Sequence, residues 1–300
     1  SLDLSFLEGL ELNQIHLHAL KSDLSPLVHV KGLQNLYIHT RVKEGSPLPD
    51  FSKLAALESL RSLHVDGAVD LSGYVESVNE KFVSLQLPLN MDEKHWNLLQ
   101  PKLAKLKYLV LDPGADPAIL RNLDLPELLA LDLRPQFEQQ RFSPQLLHVD
   151  FSRLPNLRSL CRTLSKNYSA FGEILSQAPQ LEFLDISNSE FQHCDWLLQL
   201  SSLNTLIISE SKIHSPWPDF SQLHMLERVQ AEGANIFSHT FASAPNLRYF
   251  SFLYEVTRHL EELLEYPALE KIDLEMERIG YSAHRGIHSN WYGSKDCLPF

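Results

Sequence analysis

The chain has 300 residues, 44% hydrophobic and 21% charged, with a formal net charge of −12. Those proportions lie near the globular average, and no window approaches the ~18 consecutive apolar residues of a membrane span, which excludes a disordered tail and a membrane protein. The acidic balance also argues against nucleic acid as a partner, because a phosphate backbone is repelled by such a surface.

The three cysteines, Cys161, Cys194 and Cys297, are far apart, odd in number and free of C-x-x-C spacing. That pattern predicts neither a disulfide framework nor a zinc knuckle, and it fits a reducing compartment. The expected location is therefore cytoplasmic. The chain opens on Ser1 with no signal-peptide pattern of its own, so secretion after removal of an upstream signal stays open as the alternative.

Taken in order, twelve strand windows open at Leu12, Leu33, Leu60, Phe82, Leu106, Leu128, Leu157, Leu181, Leu203, Leu226, Leu247 and Leu269. The first has a rival frame, since Leu7, Leu10 and Leu12 offer other starting points. Steps between windows run from 21 to 29 residues and average about 23. That period belongs to one elongated solenoid, whereas length alone would have suggested two ordinary domains. The two longest steps predict loops at RVKEGSPLP, after Thr40, and PQFEQQRFSP, after Arg134, both polar and proline-marked.

The unit is plainest between Pro179 and Ile213, where Leu181, Leu184 and Ile186 are followed 22 residues later by Leu203, Leu206 and Ile208. The pattern is L-x-x-L-x-L, and its alternation of apolar and polar places is strand periodicity. The next dozen residues, through CDWLLQL, read as helix or turn. A strand with one return segment cannot bury its own apolar side, so each unit needs neighbours stacked on it. Leu36, Leu63, Leu85, Leu109, Leu131, Leu184 and Leu206 then form a buried ladder.

Two further regularities punctuate the windows. Pro126, Pro155, Pro179, Pro245 and Pro267 each stand two residues before the first leucine, where a return segment must stop. Asp-Phe-Ser-x-Leu recurs at Asp50, Asp150 and Asp219, which predicts that Phe51, Phe151 and Phe220 pack under the convex side. The repeat gives out after Gly280. Residues 1–280 are thus expected to form the solenoid, and 281–300 a terminal cap or a partner-binding tail.

On these residues the chain resembles the leucine-rich repeat family over roughly Leu7 to Ile279. The segment DLSPL at Asp23 to Leu27, followed by KGLQNLYI, is similar to repeats of bacterial internalin-like proteins. The resemblance implies an α/β fold: a right-handed horseshoe solenoid with a parallel concave β-sheet of about twelve strands and a convex side of helices and turns. It also implies a protein that mostly binds other proteins. The ninth place of the window departs from the family pattern. Asparagine is usual there, and only Asn90 matches; Ser165, Ser189 and Ser211 could supply a weaker hydroxyl version of the missing amide ladder.

No phosphate loop, G-x-G-x-x-G, G-x-S-x-G or H-E-x-x-H occurs. The absence of these motifs favours a protein without catalysis. Successive residues on a strand point to opposite sides, so the third, fifth and seventh places of each window face outward. This puts His16, His18, His39, His64 and Asp66 on three adjacent strands. His18, His39 and Asp66 share the seventh place and are expected about 4.8 Å apart in one column. Such a column could be plain surface, a partner contact that changes charge between about pH 5 and 8, or a zinc-like site. Because no cysteine or second carboxylate accompanies it, the contact reading is preferred to a metal.

Along the same face, Tyr108, Phe183, Ile207 and Tyr249 stand at outward places where water favours polar residues, and Arg228 lies among them. Exposed aromatics beside an arginine are the usual composition of a binding hot spot. Glu275 and Glu277 belong to a strip from Glu255 to Arg278 with eight acids against three bases, which would border that cluster. The expected protein is a monomeric, non-enzymatic scaffold, without cofactor, that binds a protein or peptide on its concave face, a basic partner included. One rival is a bacterial immunity-type protein whose acidic surface neutralises a basic effector. The other is a metal-dependent enzyme at the histidine cluster.

Overall fold

The computed structural model describes residues 3–18, 23–40, 48–70, 72–77, 82–87, 91–111, 117–133, 149–161, 174–234, 236, 240–254 and 266–276. The chain divides into two compact units, Ser1–Asn156 and Leu157–Phe300.

Each L-x-x-L-x-L window becomes a short strand because its fourth and sixth residues can be buried on one side while the third and fifth face away. In the first unit these strands are β1 (Gln14–His18), β2 (Asn35–His39), β3 (Ser62–Asp66), β4 (Ser84–Gln86), β5 (Tyr108–Val110) and β6 (Ala130–Asp132). They pair in parallel with no offset, Gln14 with Asn35, Ser62, Ser84, Tyr108 and Ala130 in turn. In the second unit the strands are β7 (Ser159–Cys161), β8 (Phe183–Asp185), β9 (Glu190–Phe191), β10 (Thr205–Ile207), β11 (Lys212–Ile213), β12 (Arg228–Ala231), β13 (Tyr249–Tyr254) and β14 (Lys271–Met276). Ser159, Phe183, Thr205, Arg228, Tyr249 and Lys271 are likewise paired in line. Twelve strands in all open on the third place of their windows, and β1 at Gln14 selects the Leu12 frame over its rivals.

The inward ladder is dry. Leu36, Leu63, Leu85, Leu109 and Leu131 in the first unit, and Leu160, Leu184 and Leu206 in the second, are each exposed by 2% or less. Behind the sheets, short 3-10 helices return the chain, and a shared turn starts five of those described. Asp3, Asp23, Asp50, Asp150 and Asp219 each accept the backbone N–H of the serine two residues on, at 2.8 to 3.1 Å. That bond satisfies one of the donors a helix start leaves orphaned. The residue between aspartate and serine, Leu4, Leu24, Phe51, Phe151 or Phe220, is buried under the sheet. Longer returns hold α1 (Ser72–Ser77), α2 (Glu93–Leu99) and α3 (Pro117–Arg121); Asp92 caps α2, whose Trp96 and Leu99 are buried.

Past each strand the chain must turn sharply, and the eighth place of four windows carries a positive φ: Gly67 (111°), Asn188 (56°), Glu210 (56°) and Gly233 (67°). Glycine and asparagine tolerate this region, and glutamate does so poorly. Glu210→Asn should therefore raise the unfolding free energy by roughly 0.5 to 1 kcal/mol, read as a higher urea midpoint at unchanged slope. At Gly67 a β-carbon would lie 2.6 Å from the Thr40 carbonyl oxygen, so only glycine fits there.

At the ninth place, Ser211 Oγ donates to the Ile186 carbonyl at 3.0 Å and accepts the Ser189 N–H at 3.2 Å, which ties one repeat to the next. Ser165 lies outside the described residues. Just beyond, β9 and β11 pair in parallel as a second small sheet, with Phe191 and Ile213 buried. The expected 135–144 loop, residues 41–47 of the other loop and the 281–300 segment also lie outside the described residues.

Cysteine usage differs from expectation. Cys161, fully buried on β7, is disulfide-bonded, with its partner beyond the described residues. Wide spacing in sequence does not prevent pairing, because a disulfide requires proximity in the fold and not along the chain. Cys194 is free and buried, and burial first, with Asp195 second, pushes its thiol up to about 12, so it is no nucleophile near neutral pH. Among the described residues no helix is long and apolar enough to cross a membrane.

Candidate binding faces

The outward places of β1 to β4 form an open depression of about 430 Å³ in the first unit. In-line pairing is what assembles it, because residues at one place of successive windows become direct neighbours. At the fifth places His16 and Tyr37 stack with centroids 4.3 Å apart and planes 9° from parallel, and Tyr37 meets His64 at 4.8 Å. At the seventh places the His18 and His39 rings lie 6.3 Å apart, and His39 Nδ1 is bonded to the Asp66 carboxylate. All five residues expected in this cluster, His16, His18, His39, His64 and Asp66, are thus gathered by three strands, and Tyr37 and Gln86 join them.

The rings are not equivalent. His16 and His18 are exposed, whereas His64 is buried and shares a 3.0 Å hydrogen bond with Ser84 Oγ. Burial, which penalises the charged ring, drops the His64 pKa to about 4; a bond to Gln86 opposes the shift and the His16 charge adds to it. Among the described residues no three His, Cys, Asp or Glu side chains converge on a point able to hold a metal ion.

In the second unit the third-place column reads Phe183, Thr205, Arg228, Tyr249 and Lys271 on β8, β10, β12, β13 and β14. Arg228 is exposed, and Phe183, Ile207 and Tyr249 are half-buried, so apolar surface stays within reach of a partner. Arg228 Cζ sits 4.5 Å from the Tyr249 ring centroid and Lys271 Nζ 5.1 Å from it, two cation–π contacts on one ring. The Tyr249 hydroxyl donates to Asp273 Oδ2 at 2.7 Å, and Lys271 Nζ lies 3.1 Å from the same oxygen. Burial and then this bond raise the tyrosine pKa, and the same bond, with Lys271, lowers that of Asp273. Lys271 and Asp273 were not among the expected site residues. Their signal was available, since they hold the third and fifth places one window beyond Tyr249.

Tyr108 requires correction. It lies on β5 in the first unit and is only 7% exposed, so it offers a partner little surface. Its paired neighbours are the small Ser84 and Ala130, which leave lateral room for a ring to settle against the sheet. Val110, Ala130 and Asp132 on the same strand faces are buried as well. Glu275 is on β14, paired with Leu253; Glu277 lies outside the described residues.

In-line parallel strands on a 21 to 29-residue period, with leucines inside and capped turns behind, define the leucine-rich repeat fold. The solved structures agree. An internalin of Listeria monocytogenes strain 4b F2365 is similar over 93% of this chain and 82% of its own, with 21% identity and a TM-score of 0.55. A chain of the mouse RP105/MD-1 complex is similar over 86% of this chain at 15% identity and a TM-score of 0.58, and this chain spans half the length of that one. No family model matches the sequence, and no curated protein matches it significantly.

Proposed function

We propose that the protein is a non-enzymatic interaction scaffold that takes a protein or peptide partner on the outward face of the second unit, centred on Phe183, Ile207, Arg228 and Tyr249. The observation that carries this reading is the accessible apolar and planar surface at in-line outward places, with Arg228 laid over Tyr249. Such a cluster usually supplies most of an interface's energy, and charge at its rim, here Lys271 and Asp273, adds rate and selectivity. The assembly of mouse RP105 with MD-1 supports a protein partner for a fold of this kind. A bonded Cys161 favours an oxidising compartment over the cytoplasm.

The test is a pull-down to identify the partner, followed by titration of single variants. Phe183→Ala or Tyr249→Ala should weaken binding about thirtyfold or more, roughly 2 kcal/mol, with little change in melting temperature. Unchanged affinity in both, together with loss on changing the return segments, places the partner elsewhere. The net charge of −12 keeps the neutralising reading as the alternative. Under that reading affinity falls steeply with added salt.

A further inference from the structure

Most charged groups on and beside the outward face of the second unit are already engaged. Lys271 and the Tyr249 hydroxyl both hold Asp273, and Asp185, 3% exposed, accepts the backbone N–H and the hydroxyl of Ser187. At the bordering second places Arg158 pairs with Glu182 at 3.5 Å and Arg248 with Glu270 at 3.8 Å. Arg228 differs. It is exposed, and among the described residues its guanidinium makes no hydrogen bond and no ion pair. What holds it is the Tyr249 ring, whose centroid lies 4.5 Å from Cζ, and its charge reaches Asp273 only as the last of the influences that lower that carboxyl. Arginine keeps its charge at any pH a folded protein meets, and a ring beneath the guanidinium uses none of its in-plane N–H donors.

The accessible apolar surface lies a short way along the same column. Phe183 and Arg228 share the third place with Thr205 between them, and Ile207 stands at the fifth place of that middle strand. Strands about 4.8 Å apart put Phe183 and Arg228 roughly 10 Å from each other, the length of about three residues of extended chain. Resting on the partner face proposed above, we propose that its occupant is a protein segment that sets one carboxylate side chain on Arg228 and, about three residues along, an aromatic or aliphatic side chain on Phe183 and Ile207. A single carboxylate fits, and an acidic run does not. Glu182, Glu227 and Glu270 border the column at second places, and on a chain of net charge −12 a further acid meets repulsion without a free cation to offset it. A basic segment would face Arg228 as a like charge, which an interface selects against.

The test is selection of random dodecapeptides on the full chain, each fused at its C-terminus to a phage coat protein so that every carboxylate it presents is a side chain. Parallel selections use Arg228→Gln and the double variant Phe183→Ala/Tyr249→Ala, with circular dichroism confirming that both are folded. Peptides enriched on the parent should carry one Asp or Glu about three positions from an aromatic or aliphatic residue. The leading peptide, synthesised with blocked ends and followed by fluorescence anisotropy, should lose about tenfold or more in affinity on Arg228→Gln, and as much when its acid is changed to the amide. Lys271→Gln should cost less, because that ammonium is already held by Asp273; an equal or larger loss there overturns the assignment to Arg228. Enrichment of basic peptides, or of acid-free peptides, that bind the parent and fail on the double variant overturns the carboxylate and keeps the face. An acidic peptide that binds Arg228→Gln as tightly as the parent and fails on the double variant does the same. Peptides that bind the double variant as tightly as the parent, or no enrichment on the parent beyond that on the double variant, overturn the face itself.

Discussion

Leu184→Ala should lower the free energy of unfolding by about 2 to 5 kcal/mol. Leu184 has no exposed surface and is held between Leu160 on β7 and Leu206 on β10, both equally dry. Strands in a parallel pair keep a spacing of about 4.8 Å whatever their side chains, so the walls of the resulting cavity cannot close in as a loosely packed site would. Ile272, at the same fourth place on β14, is 37% exposed, and Ile272→Ala should cost well under half as much. Urea unfolding followed by far-ultraviolet circular dichroism measures both. Equal losses in the two variants would mean that the ladder does not carry stability in proportion to its burial.

Acidification should destabilise the protein through His64. The free imidazole titrates near 6.5, and in the folded chain burial moves this ring to about 4. Between those values the unfolded chain binds a proton at this position and the folded chain does not, so stability rises with pH across the window. Lowering the pH from 6.5 to 4 then removes about 1.4 kcal/mol per pH unit, roughly 3 kcal/mol in all. Comparing the parent with His64→Gln isolates the effect, because every other titrating group is common to both. The gap between them should shift in favour of the variant as the pH falls through this window. A gap independent of pH would show that His64 takes up its proton in the folded protein as readily as in the unfolded one.

The strand starts were legible because leucine spacing reports which side chains face inward, and inward facing fixes register to the residue. Outward chemistry was legible only in part. His16, His18, His39, His64 and Asp66 could be placed together because equal places of adjacent windows must be neighbours in an unshifted parallel sheet. Tyr108 could not be distinguished from Tyr249 in this way. Both occupy third places, and Tyr108 is buried beside the small Ser84 and Ala130, a matter of neighbour size that the leucine spacing does not encode. The disulfide at Cys161 escaped because that spacing carries no information on cysteine pairing. The positive φ at the eighth place was not read from the sequence; residue type agrees with it at Gly67, Asn188 and Gly233 and runs against it at Glu210.

Within each unit, the unshifted pairing of the strands makes the outward surface a grid, with the repeat number as one coordinate and the place within the window as the other. Each square is filled by one residue, and no square shares a side chain with the inward ladder. Recognition can therefore be rewritten at the exposed squares, by mutation or by design, without disturbing the inward ladder, whereas the squares held by His64 and Tyr108 are buried and belong to the fold as well. A histidine field in the first unit and an arginine and tyrosine field in the second rest on the same kind of ladder for this reason: where a square is exposed, the alphabet of the surface is independent of the grammar of the core.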